Sequence, residues 1–134
     1  MIRQANYSDY ETVKAIDPFS GDRREDIEEG RVYVYLVGQV LGGFIMISRS
    51  GLLGRPYVQY LAVSTSHQRK GIASELLLFV EKIYQGNRLF ISTENTNTQM
   101  LALLSKHDYI FAGEISEANL NGSKELYFYK GNNT

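Results

Sequence analysis

The stretch 57–94 constrains the fold more than any other. It opens at 57–63 on Tyr-Val-Gln-Tyr-Leu-Ala-Val, a β-branched and aromatic run that reads as a strand. From Gly71 the apolar period changes: Ile72, Leu76, Val80 and Ile83 recur at helical spacing, with Ala73, Leu77 and Tyr84 beside them. That spacing predicts an amphipathic helix over 71–85, ended by Gly86-Asn87. A second β-rich run follows at 88–93. Strand, helix and strand joined by short loops make one parallel crossover, right-handed because of backbone twist. The strand at 57–63 is nearly apolar throughout, so burial on both faces is expected.

The flanks add elements around this unit. A short strand is expected at 2–5, then a helix capped by Ser8-Asp9 that runs to about Ile16 and stops at Pro18. A short charged helix over 22–29 carries Ile27 and ends at Gly30. Strands at 31–37 and 40–48 pair across a Gly38-Gln39 turn, and 51–56 reads as a loop. A helix over 96–107 places Met100, Leu103, Leu104 and His107 along one side. Strands at 109–115 and 125–130 are joined by the polar loop 119–124, and 131–134 reads as loose. The order β-α-α-β-β-β-α-β-α-β-β describes an α/β (α+β) fold: a mixed sheet of about seven strands flanked by four helices, expected as one domain over 1–134.

Composition excludes several classes. The 134 residues contain no cysteine, so disulfides, thiolate metal sites and a cysteine nucleophile are absent. Fourteen basic and fifteen acidic residues give a net charge of −1, which offers no general attraction to nucleic acid or an anionic membrane. No secretory signal or membrane span is legible, since apolar runs are strand-sized against the ~20 residues a spanning helix needs. A cytoplasmic protein is expected.

The chemistry is concentrated where the 57–63 strand gives way to the helix. Arg69 and Lys70 stand immediately before the helix start, and the small residues Gly71, Ala73 and Ser74 fill its first turn. The first turn of a helix carries N–H groups without intrahelical partners and the positive end of the helix dipole. Together these bind phosphate oxygens, and a small first turn lets them approach the backbone. An ordinary loop-to-helix junction with two surface cations is the plain alternative. The segment matches neither the G-x-x-x-x-G-K-S/T phosphate loop nor the G-x-G-x-x-G dinucleotide fingerprint.

Gln68-Arg69-Lys70-Gly71-Ile72-Ala73 resembles the R/Q-x-x-G-x-G/A signature of the GNAT acetyltransferase superfamily. Leu61-Ala62-Val63 stands where that superfamily ends a strand on L-x-V, and Asn97 and Tyr109 fall on its N-x-x-A/S-x-x-x-Y/F-x-x-x-G-F pattern. The element order fits from Ile2 to Lys130. The resemblance implies a mostly antiparallel sheet in which the strands at 57–63 and 88–93 splay apart, with acetyl-CoA as acyl donor and no metal. It implies that the backbone of Leu61, Ala62 and Val63 pairs with the pantetheine arm as an added strand would. An N–H there would also face the oxyanion formed from the thioester carbonyl. Gln68, Arg69, Lys70, Gly71, Ile72, Ala73 and Ser74 would hold the pyrophosphate, and Asn97, Met100 and Leu104 would lie along the arm. The implied activity is acetyl transfer to a primary amine of a small molecule, peptide or protein by direct attack in a ternary complex, in a monomer or homodimer.

Departures from the pattern bear on catalysis. Leu104 occupies the place of a tyrosine that protonates the departing thiolate in many members, and Asp108 replaces a glycine whose left-handed turn an Asp tolerates. Gln59 stands where some members carry a glutamate base; it can order a water, or simply bond its strand neighbours. Tyr60 points to the opposite face from Gln59, and Ser105 offers a hydroxyl beside Leu104. His107 reads as a dipole partner at a helix end and His67 as a surface residue. Glu25 and Glu28 either attract a cationic amine or are solvated. These departures keep open a second reading, a non-catalytic module that binds or senses acyl-CoA.

Overall fold

A computed structural model of the chain describes residues 1–17 and 21–131. The elements run β1 (Ile2–Gln4), α1 (Tyr10–Ile16), α2 (Arg24–Glu28), β2 (Val32–Val37), β3 (Val40–Leu52), β4 (Arg55–Val63), α3 (Ile72–Ile83), β5 (Leu89–Glu94), α4 (Thr98–Lys106), β6 (Ile110–Ile115) and β7 (Glu125–Lys130). Short 3-10 turns precede α1 and follow β4. The seven strands hydrogen-bond in the order β1-β2-β3-β4-β5-β7-β6, parallel at β4/β5 and antiparallel at β1/β2, β2/β3, β5/β7 and β6/β7. This is the mixed, mostly antiparallel sheet with four helices that the sequence predicts. The β4/β5 ladder pairs Tyr57 with Phe90 and Val58 with Ile91, while β4 itself runs on to Val63. Among the described residues no helix is long and apolar enough to cross a membrane.

The chain forms two compact units, Met1–Ser48 with Gln59–Ile83, and Arg49–Val58 with Tyr84–Thr134. In the first unit, β3 is buried continuously from Leu41 to Ile47. Its Leu41, Phe44 and Met46 join Ala5, Val13, Ile27, Val32 and Val34 in one cluster, against which Tyr10, Ile16, Leu36, Tyr60 and Ala62 pack. Ile72, Leu76, Leu77 and Val80 form the buried stripe of α3 at the predicted spacing. The first helical segment begins earlier than expected. Asn6 caps this 3-10 turn: its side chain accepts from the Ser8 amide at 3.0 Å while the Asp9 carboxylate accepts from the Asn6 amide at 2.8 Å; Asp9 stands at the N-cap of α1 as expected but makes no side-chain bond to that helix. Arg3 closes this box on Asp9 at 2.7 Å. The expected stop at Pro18 and the loose residues 132–134 lie outside the described residues.

In the second unit, the expected loop at 51–56 is instead a hairpin tip. β3 continues to Leu52, β4 starts at Arg55, and Leu53 and Gly54 turn between them at φ 52° and 80°. Both central residues lie in the left-handed region, the geometry whose twist matches the flanking strands. Gly51 and Pro56 are accommodated inside the strands, which leaves two residues for the turn. Asp108 stands at φ 62°, so the expected left-handed turn is present without glycine. β4 is less buried than expected, since Gln59 is exposed and 60–63 are half-buried.

Candidate functional site

In the first unit, β4 delivers the chain directly to the start of α3. After a 3-10 turn at Thr65–His67, Gln68 is extended, Arg69 takes φ 65° and Gly71 takes φ 78°. The Glu75 amide donates to the Gly71 carbonyl at 3.0 Å, which makes Gly71 the residue before the first turn. Ile72 and Ala73 therefore present their N–H groups ahead of the first intrahelical bond. Gly71 has no side chain to bond them, and a Cβ built there meets nothing within 4 Å. The helix start is open, and Arg69 and Lys70 stand exposed before it. Holding an arginine in the left-handed region costs about 1–2 kcal/mol, a strain typical of ligand clamps.

Local contacts fix this turn. The Ser64 amide donates to the Gly42 carbonyl at 2.9 Å, and Ser64 Oγ lies 2.7 Å from His67 Nδ1. His67 is thus half-buried, not the free surface residue expected. A Cβ on Gly42 would come within 3.2 Å of His67 and 3.3 Å of Ile72; one on Gly43 would meet the Ala62 carbonyl oxygen at 2.9 Å. The glycine pair lets the turn and the first residue of α3 settle onto β3. Ile72 is 3 % exposed and anchors the helix start; Ile72→Ala costs roughly 2–5 kcal/mol by cavity formation. Sequence reading missed Gly42-Gly43, whose only signal is two glycines inside a β-rich run.

The same contacts orient the strand end. The Ala62 carbonyl and the Ser64 amide turn toward β3. Backbone groups alternate sides along a strand, so those of Leu61 and Val63 face away from β3. The Gln68 side chain folds back to donate to the Val63 carbonyl at 3.4 Å. The Leu61 backbone and the Val63 amide are the groups an added strand would use.

Gln59 is held by its oxygen: Oε1 accepts from Arg31 Nη1 at 3.3 Å, and Arg31 also bonds Asp26 and, at 3.1 Å, Glu29. A guanidinium only donates, so Gln59 turns its amide nitrogen outward and offers N–H donors. Tyr60 packs on the core cluster with the Arg23 guanidinium 4.2 Å over its ring. Arg23 is fixed in turn by Asp17 at 2.7 Å. Glu25 and Glu28 are exposed on α2. Beside the open helix start, Tyr35 Oη donates to Glu75 at 2.5 Å, and this bond raises the phenol above its ordinary range.

The second unit holds the other candidates. Asn97 caps α4, its Oδ1 accepting from the Met100 amide at 3.1 Å. Met100 is half-buried, Leu104 is 1 % exposed, and Ser105 is exposed on the same helix. His107 forms the C-cap, as its expected place at a helix end requires. A chain of side chains that no motif signals crosses three strands. Tyr57 Oη lies 2.6 Å from Ser92 Oγ, Ser92 donates to Glu125 Oε2 at 2.6 Å, and Asn119 Nδ2 donates to Glu125 Oε1 at 3.1 Å. Register brings these residues together: Tyr57 pairs with Phe90, and Ser92 with Tyr127.

Comparison with known proteins agrees with this geometry. A family model described as the acetyltransferase (GNAT) family matches residues 2–109. No curated protein sequence matches the chain. Among solved structures, a GNAT-family acetyltransferase from Bacillus cereus is 22 % identical, covers 100 % of this chain and 98 % of its own, and superposes with a TM-score of 0.83. Arabidopsis thaliana Naa50, in complex with the bisubstrate analogue CoA-Ac-MVNAL, is 15 % identical over 98 % of both chains, with a TM-score of 0.83. An N-acetyltransferase from Staphylococcus aureus is 21 % identical over 98 % of this chain and 97 % of its own, with a TM-score of 0.81.

Proposed function

The chain belongs to the acetyltransferase (GNAT) family, and from that premise we propose that it moves an acetyl group from acetyl-CoA to a primary amine by direct attack in a ternary complex. The acceptor amine belongs to a small molecule, a peptide or a protein. The observation that carries this reading is the uncapped start of α3: Gly71 open to solvent, Ile72 and Ala73 amides ahead of the first helical bond, and Arg69 and Lys70 before them. Such a start fits a pyrophosphate, because bare amides, the helix dipole and two full charges all favour an anion. Gln68, Arg69, Lys70, Gly71, Ile72, Ala73 and Ser74 are proposed to hold it. The Leu61 backbone and the Val63 amide are proposed to pair with the pantetheine arm, while the Ala62 carbonyl, expected to join them, turns toward β3; Asn97, Met100 and Leu104 are proposed as further coenzyme contacts. The bound CoA analogue of Naa50 supports the same donor. One family match spanning residues of both units supports reading 1–134 as one acetyltransferase domain, and we place it in the cytoplasm.

In the reaction the amine nitrogen bonds to the thioester carbonyl carbon, the C–S bond breaks, and the amine proton leaves to solvent as the thiolate departs. Gln59 offers donors and does not titrate, so it takes no proton. The experiment is direct: protein, acetyl-CoA and an amine panel, read as free thiol, with coenzyme A binding measured by calorimetry. The expected result is bound coenzyme and amine-dependent thiol release. Absence of coenzyme heat would overturn the reading.

A binding module without chemistry is the second reading, favoured by Leu104 and Gln59, which supply neither an acid nor a base. It expects tight coenzyme binding with no thiol release across the panel. Leu104→Tyr does not separate the readings cleanly. Leu104 is 1 % exposed, and a phenol there overpacks the helix at a cost of roughly 1–3 kcal/mol.

A further inference from the structure

Glu75 is the acid in the first turn of α3, and it is exposed. It stands four residues after Gly71, so the two lie one above the other on the same side of the helix. Helix side chains lean toward the N-terminus and cover the turn before their own Cα. A Glu75 side chain left to itself would therefore reach over the bare Ile72 and Ala73 amides, where its carboxylate would compete with any incoming anion. Gly71, without a side chain, puts nothing in its way.

Glu75 is instead held by a strand of the same unit. Tyr35 Oη donates to Glu75 Oε2 at 2.5 Å, a charge-assisted bond at the short end of its range. Register on β2 aims the phenol there. Tyr35 pairs with Gly43, and a Cβ on Gly43 would lie 3.1 Å from Ile72, so Tyr35 stands on the face of the sheet that α3 covers. Two residues earlier on that face, Tyr33 packs on Phe79 with ring centroids 5.2 Å apart. Two tyrosines spaced by two on β2 thus meet two residues spaced by four on α3, and the ring contact fixes the seam along which Tyr35 reaches Glu75. From this pairing we infer that Tyr35 is a positioning residue for the coenzyme: it pins the Glu75 carboxylate toward β2 and so keeps the start of α3 open to a pyrophosphate. The inference rests on the pyrophosphate site proposed above, and Tyr35 acts there through Glu75 without touching the ligand.

Calorimetry of the full chain with coenzyme A tests this as a double-mutant cycle. Tyr35→Phe keeps the ring and loses the donor; it should weaken coenzyme A about threefold at low ionic strength, the scale of one exposed charge released beside the site. Glu75→Gln removes the charge and should tighten coenzyme A by about the same factor. In the Glu75→Gln background, Tyr35→Phe should have no further effect. The gap between wild type and Tyr35→Phe should close as salt rises, which a merely structural bond would not show. Glu75→Asp keeps the charge but is one methylene too short for the phenol. It should weaken coenzyme A about as much as Tyr35→Phe, and on the exposed surface it reads the same loss should Tyr35→Phe not fold. Wild-type affinity in both Tyr35→Phe and Glu75→Asp overturns the assignment. A Tyr35→Phe loss that persists in Glu75→Gln also overturns it, since Tyr35 would then touch the coenzyme itself. No coenzyme A heat from the wild type overturns the pyrophosphate site and the assignment together; wild-type heat with a flat cycle overturns the assignment alone.

Discussion

The starts of α3 and α4 solve the same problem in opposite ways. Both helices carry apolar stripes and both follow a strand in sequence. At α4, Asn97 bonds the Met100 amide and satisfies the helix from within. At α3, Gly71 bonds nothing with a side chain, and an arginine and a lysine precede it. The first 3-10 segment goes further than α4, with the Asn6 and Asp9 box locked by Arg3. Two starts are built for stability and one is left unsatisfied, and the proposed pyrophosphate site rests on that difference.

Making α3 resemble α4 should break the contrast most severely. Gly71→Asp tolerates the left-handed backbone better than most residues and puts a carboxylate over the open amides. Coenzyme A affinity should fall about 100-fold, from lost charge-assisted bonds and added repulsion, with the fold retained by circular dichroism. Next in size, Arg69→Glu with Lys70→Glu should lower affinity about tenfold at low ionic strength and flatten its salt dependence. Calorimetry across a salt series reads both. Unchanged affinity would place the anion elsewhere.

The reverse change sharpens the comparison. Asn97→Ala should cost about 1 kcal/mol in urea unfolding, because its oxygen caps α4, and should weaken coenzyme A less than either change at the α3 start, because it is one proposed contact among many. Affinity equal to wild type would remove Asn97 from the proposed coenzyme contacts. The smallest effect concerns the locked box. The Arg3 hydrogen bond holds the Asp9 carboxyl below its ordinary value. A folded pKa depressed below the unfolded one gives stability that is complete above about pH 4 and lost as pH falls through the folded value. Urea midpoints between pH 5 and 2 should show this decline, shallower in Arg3→Gln.

Local pattern made much of this legible. The period change at 71, the two cations before Gly71 and the order of elements all lie in contiguous sequence, so the crossover and the open helix start could be read directly. Asp108 was legible too, because its backbone tolerance belongs to the residue itself. What escaped depends on partners distant in sequence. Gly51 and Pro56 look like a loop until strand pairing places them in β3 and β4. Gly42-Gly43 matters only once Ile72 and His67 lie against it. Tyr57, Ser92 and Glu125 are unremarkable individually and meet only through strand register.

The threading of β7 between β5 and β6 has a consequence for biosynthesis. β6 pairs with β7 alone, and its Ile110, Phe111 and Ile115 remain about half exposed even after pairing. Until β7 is in place β6 has no strand neighbour among the described elements, and its ladder and apolar side chains stay open. Released chains truncated in the 119–124 loop should therefore be the ones that chaperones retain and proteases clear.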